Sequence, residues 1–274
     1  MPSQNTAWWE PWNLEEGRVG IWTVGPLELQ IENRVGEWCV ATRYEAARRG
    51  DEEAWAYHEA AGPLDDSAAG LERYLLPEGG TAVGLIPRMA DRPIVASPDV
   101  PLFLLPDEET RIFLGSPLWI AIAVQDARRV LRQVPIQRPS DSWFGPDTLR
   151  GTLCYATHTR ARVYAANLPR YIRHAVTAVQ IHNRSRRPLR VERIKLPVPH
   201  LDVFAGEDGR LWTQEVRLTQ DDHGLAEIED QRSVPEEAGR THRLSAARSP
   251  LERSVFTRAF ASFSGVFERR RDEA

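Results

Sequence analysis

Along the first third of the chain, apolar and polar residues alternate with a period of two. Leu27, Leu29 and Ile31 alternate with Glu28 and Gln30, the pattern of a strand with one buried face. Trp38, Val40, Thr42 and Tyr44 alternate with Glu37, Cys39, Ala41 and Arg43 in the next run. Asn33 and Gly36 lie between them, so the pair predicts a hairpin. Residues 45–61 change to Ala, Glu and Arg around Trp55 and Tyr57, which predicts a helix or helical loop. Then Pro77, Pro87, Pro93, Pro98, Pro101, Pro106 and Pro117 separate short apolar runs at 102–105, 111–114 and 118–124. Proline cannot donate to a central ladder, so these prolines belong at strand starts, edges and turns. Short strands at this spacing predict a sandwich or barrel rather than alternating βα units.

The second half continues the pattern. Runs at 175–182 and 189–196 flank a polar turn at 183–188 and read as a hairpin. Leu189 and Val191 keep step, but Ile194 and Leu196 resume one residue out of phase, which predicts a bulge near Glu192 and Arg193. Runs at 201–205 and 211–218 pair around Asp208-Gly209, a strong turn signal. Residues 220–247 are polar and aperiodic and read as a long loop or linker. After them Phe256, Phe260, Phe263 and Phe267 recur at spacings of four, three and four, one face of a helix. Ser249 and Pro250 suit its start, and Arg269, Arg270 and Arg271 suit its end. The expected fold is all-β: an antiparallel β-sandwich over 17–218 with an appended C-terminal α-helix over 249–271. A Trp-rich irregular arm, 1–16, precedes the sandwich, and a polar linker, 219–248, follows it.

Composition narrows the function classes. A chain of 274 residues, 42% hydrophobic, can bury a substantial core. The net charge of −4 gives no general reason to expect nucleic-acid binding. Lys195 is the single lysine in a set of basic residues that is otherwise arginine. Cys39 and Cys154 each sit in an apolar run and read as buried free thiols rather than a disulfide framework. Neither a signal peptide nor an apolar run long enough to span a bilayer is visible, so a soluble, cytoplasmic protein is expected.

Motifs for phosphate-binding loops, serine hydrolases and zinc sites do not occur, and neither cofactor nor metal is expected. Asp221, Asp222 and His223 form one tight acid–histidine cluster, read as a solvated loop. His174 and His182 bracket one strand and read as structural. Arg184, Arg186, Arg187, Arg190 and Arg193 read as a solvated face rather than a phosphate patch. The stretch 137–147 is the candidate ligand-binding loop. Gln137, Arg138, Ser140 and Asp141 supply hydrogen-bonding groups, and Trp143 and Phe144 a stacking surface. The competing expectation is that its aromatics plug the core and that Arg138 pairs with Asp141. The Phe256, Phe260, Phe263 and Phe267 stripe is the candidate interaction surface for a second copy or a protein partner, with docking on the chain's own sheets as the competing expectation. A non-enzymatic interaction or regulatory role leads, with a small-molecule or carbohydrate binder, or an unrecognised enzyme, as the alternative.

The segments 92–95, Arg-Pro-Ile-Val, and 101–106, Pro-Leu-Phe-Leu-Leu-Pro, carry a resemblance, continued by 115–120, Gly-Ser-Pro-Leu-Trp-Ile, and by 137–141, Gln-Arg-Pro-Ser-Asp. In these the chain resembles an uncharacterised prokaryotic family, domain of unknown function 432. The resemblance implies an intracellular protein without an assigned activity and, as a partner, a small mechanosensitive channel. It implies no catalytic residues.

Overall fold

The computed structural model describes residues 6–45, 54–60, 62–66, 70–145, 151–159, 161–222, 226–230, 233–249, 255–257 and 260–261. Nearly every regular element among them is a strand, and the helical turns are three-residue 3-10 segments such as Ala165–Asn167 and Val198–His200. The all-β expectation therefore holds. The chain divides into two compact units, each built from separated stretches. One contains Met1–Arg88, Pro117–Arg138 and Arg170–His174, the other Met89–Ser116, Pro139–Pro169 and Ala175–Ala274.

In the first unit an antiparallel five-stranded sheet runs in the order Trp55–Ala60, Val19–Val24, Leu27–Arg34, Glu37–Tyr44, Glu72–Leu75. The predicted hairpin is present, and its turn needs Gly36, whose φ is 74°. Residues 55–60 are a strand rather than the expected helix, because Trp55 and Tyr57 alternate with Ala56 and His58 and so match the pleat beside Val19–Val24. The N-terminal arm is anchored. Trp12–Asn13 pairs with Ala82–Met89, Trp8 and Trp12 are buried, and the Trp12 indole donates to the Trp8 carbonyl at 3.1 Å. Trp12, Trp22 and Tyr57 form an aromatic core, with ring centroids 4.3 Å apart for Trp12 and Tyr57 and 4.8 Å for Trp22 and Tyr57. Gly20 makes room for it: a Cβ there would lie 2.4 Å from the Trp22 ring.

The second unit holds a sheet ordered Ser140–Phe144, Thr152–Thr159, Ile94–Pro98, Arg193–Leu196, Phe260–Ala261. Another sheet of this unit centres on His174–Asn183, which pairs in parallel with Leu211–Trp212 and Val216–Gln220. Thr152–Thr159 and Ile94–Pro98 are parallel too, so the sheets are mixed rather than purely antiparallel. Strand Glu109–Val124 carries Pro117 inside it, giving its earlier residues to this unit and its later ones to the first. A two-stranded ribbon pairs Leu102–Leu104 with Leu189–Val191.

Two further expectations are corrected, and a third is addressed only at its described residues. The hairpin of 175–182 with 189–196 does not form. Leu189–Val191 joins the ribbon and Arg193–Leu196 joins Ile94–Pro98. The phase slip at Glu192 is the point where the chain changes sheets. Asn183 redirects the turn, its amide donating to the carbonyls of Leu104, Leu105 and Arg187 at 3.1, 3.0 and 2.9 Å. Residues 219–248 are not a bare linker: Ala226–Asp230 pairs with Val216–Gln220, and Thr241–Ser245 with Val203–Gly206. The C-terminal helix over 249–271 is not seen among the described residues, and 250–254, 258–259 and 262–271 lie outside them. Val255–Thr257 is a strand beside Ala226–Asp230, and Phe260–Ala261 is a strand beside Arg193–Leu196. Phe256 and Phe260 thus lie on extended backbone, where four-residue spacing no longer makes a stripe. Phe263 and Phe267 lie outside the described residues.

Candidate functional site

The candidate loop 137–147 is largely a strand, Ser140–Phe144, at one edge of the sheet in the second unit. Gln137 and Arg138 belong to the first unit. There the Arg138 guanidinium stacks 4.8 Å from the Tyr44 ring centroid, while the Tyr44 hydroxyl donates to the Pro135 carbonyl at 2.7 Å. Gln137 and Ser140 are exposed. The expected partner of Asp141 is replaced by another arginine: Arg92 donates to Asp141 at 3.3 Å.

Strand alternation splits the remaining residues between two faces. On one face Asp141 stands opposite Tyr155. The Tyr155 hydroxyl donates to Asp91 at 3.0 Å, and Arg92 lies 5.2 Å from the Tyr155 ring centroid. Burial, and then the bond to Asp91, push the Tyr155 phenol upward, so it acts as a neutral donor. Trp143 shares this face and packs on Gly151, where a Cβ would lie 1.9 Å from the indole nitrogen. It is only partly buried.

On the other face Ser142 stands opposite Cys154, and Val95, Phe144 and Cys154 form a buried cluster. Lys195 is level with Val95 on the neighbouring strand, and Arg193 is two residues before it. Both cations converge on one ring: the Arg193 guanidinium is 5.5 Å and the Lys195 amine 5.6 Å from the Phe144 centroid. Arg193 also donates to Ser142 Oγ at 3.2 Å and to the Trp143 carbonyl at 2.7 Å, fixing the edge strand. Burial lowers the Lys195 amine and raises the Cys154 thiol, so both shift toward their neutral forms. Cys39 and Cys154 are buried and unpaired by disulfide, as expected. The singleness of Lys195 was a visible signal, but Asp91, Arg92 and Tyr155 carried none. Their juxtaposition depends on a parallel pairing between distant strands.

Among the other candidates, Arg186 is highly exposed and pairs with Asp222 at 3.5 Å, and Arg190 pairs with Glu192 at 2.7 Å. His223 lies outside the described residues. Arg184 donates to His182 at 3.3 Å. The Nδ1 of His174 is buried without a hydrogen bond. Burial, then the neighbouring Arg173 charge, lower its pKa to about 3. A histidine depressed in this way contributes stability that is complete above about pH 6.5, its unfolded value, and is lost as pH falls toward 3. His174→Gln is therefore expected to flatten the stability–pH curve across that window, measured by urea unfolding at a series of pH values. A curve unchanged in slope would exclude His174 as a source of acid sensitivity.

Among the described residues no group of three or more His, Cys, Asp or Glu side chains is placed to hold a metal ion. No helix among them is long and apolar enough to cross a membrane. The described chain is thus an all-β protein whose polar clusters sit on mixed sheets. It belongs to the family described as protein of unknown function (DUF432), whose model matches residues 8–265. No curated protein and no solved structure matches the chain.

Proposed function

We propose that the protein is a non-enzymatic interaction or regulatory protein acting in the cytoplasm through a protein partner. The observation that carries this proposal is the ribbon of Leu102–Leu104 and Leu189–Val191. Val100, Phe103 and Leu105, within six residues, are 71%, 68% and 61% exposed. Scattered exposed apolar residues need no explanation, but three in one short segment mark a contact surface. Among the described strands the ribbon pairs with no other, and strand addition is one mode by which a partner docks on such an element. A small mechanosensitive channel, implied by the family resemblance, is the first partner to test.

The expected result is that Phe103→Asp, which removes an exposed ring, leaves the Tm unchanged and abolishes co-purification with that channel. Identical co-purification of variant and wild type would rule out the ribbon as the contact. The alternative, a small-molecule binder, is favoured by a different feature: Arg193 and Lys195 meeting over Phe144.

A further inference from the structure

We propose that the chain's own segment 262–267 docks on the ribbon of Leu102–Leu104 and Leu189–Val191 and covers Phe103. The inference rests on the reading of the ribbon as a contact surface and adds its regulation: a partner reaches the ring only when the segment leaves. The strand Phe260–Ala261 pairs antiparallel with Arg193–Leu196 and sets Ala261 opposite Arg193. An antiparallel neighbour runs backward along its partner, so the chain leaving Ala261 heads past Glu192 toward Val191, Arg190 and Leu189. Those three residues are one strand of the ribbon. Ile94–Pro98 and Phe260–Ala261 flank Arg193–Leu196 on opposite sides, and Leu102–Leu104, which follows Ile94–Pro98 in the chain, lies beside Leu189–Val191. The segment therefore comes to Leu189–Val191 from the side away from Leu102–Leu104, where no described strand pairs. An extended residue spans about 3.3 Å, so the segment reaches about 20 Å, ample for a three-residue strand.

The phase slip at Glu192 decides which side chain arrives at the ribbon face. At a bulge two residues of one strand oppose a single residue of its neighbour. Counted so from Arg193 and Ala261, Glu192 and Val191 share Ser262 as their opposite, and Arg190 faces Phe263. Arg190 is exposed, stands opposite Phe103, and holds its guanidinium 5.9 Å from the ring centroid. Phe103, Arg190 and Phe263 then make one cross-strand row, a cation between two rings. Phe103 is the ring in need of a cover, 68% exposed beside the buried Leu104. Tethering decides the occupant. A segment already joined to the neighbouring strand at Ala261 meets the ribbon at an effective concentration that a second copy in dilute solution does not reach.

The test uses the full chain with p-benzoylphenylalanine in place of Phe103, irradiated alone at low protein concentration. The expected result is a crosslink within one chain, located in residues 262–267 by peptide mass mapping. Phe263→Ser is expected to lower its yield about tenfold, the change in occupancy that uncovering one ring brings. A crosslink joining two chains, a crosslink elsewhere in the chain, or an equal yield from Phe263→Ser would overturn the docking. The position of the crosslink decides the matter by itself, should the variant fail to fold. No partner is present, so this result stands apart from the ribbon's role as a contact, which Phe103→Asp tests by co-purification. With Phe103 in place, Phe263→Ser is expected to carry more of the channel than the wild type does. Equal amounts would overturn the regulation and leave the docking.

Discussion

Trp22→Ala is expected to lower the free energy of unfolding by about 3–5 kcal/mol, the range for emptying a large aromatic site in a core. Trp22 is fully buried and packs on Trp12 and Tyr57, so little of the space it leaves can be refilled by small movements. Trp22→Phe is expected to cost much less than its volume change suggests. The Trp22 indole N–H is buried without a hydrogen bond, and an unsatisfied donor carries a penalty of about 1–3 kcal/mol that phenylalanine removes. Gly20→Ala approaches the same core from below, since its Cβ would meet the Trp22 ring at 2.4 Å and force the indole out of place. Urea unfolding of the three variants checks the set. A loss below about 1 kcal/mol for Trp22→Ala would mean that the aromatic cluster is not what holds the first unit together.

The second large effect separates two neighbours in the candidate segment. Phe144→Ala is expected to cost about 3–5 kcal/mol, because its ring is 3% exposed and packs with Val95 and Cys154. It also removes the surface on which Arg193 and Lys195 rest, leaving two cations beside a cavity. Trp143→Ala is expected to cost only about 1 kcal/mol, the average for a point mutation, since its indole lies partly exposed over Gly151. Gly151→Ala should dislodge the Trp143 ring and shift its fluorescence while leaving the core melt nearly unchanged. If Trp143→Ala proves the costlier of the two, the wrong aromatic has been assigned to the core.

How much of this was legible depended on how local each pattern is. The alternation at 27–44 specified strands, faces and a glycine turn, because all three are written within eighteen residues. The phase slip at Glu192 was visible as well, but its meaning was not. A one-residue offset marks a break in a strand without saying that the two pieces join different sheets. Phenylalanine spacing does not mark a helix at the described residues 255–257 and 260–261, for a related reason. Valine, phenylalanine and threonine fit a pleated surface equally well, and an available strand edge decides between the two periods. The candidate segment divided in the same way: its composition pointed to a surface with arginine and aromatic contacts, but not to which arginine. Arg138 stacks on Tyr44 in one unit, while Arg92 and Arg193 serve Asp141 and Phe144 in the other.

What the sequence by itself determined is the all-β class, the buried state of both cysteines and the singleness of Lys195. Periodicity, apolar context and composition are properties of the chain before it folds. The tertiary structure alone decided the mixed sheet order, the two-stranded ribbon and the convergence of Arg193 and Lys195 on Phe144. Each of these depends on pairings between strands some fifty or more residues apart in the case of the sheet, and long-range pairing is chosen by the competition among all exposed edges rather than by any local pattern.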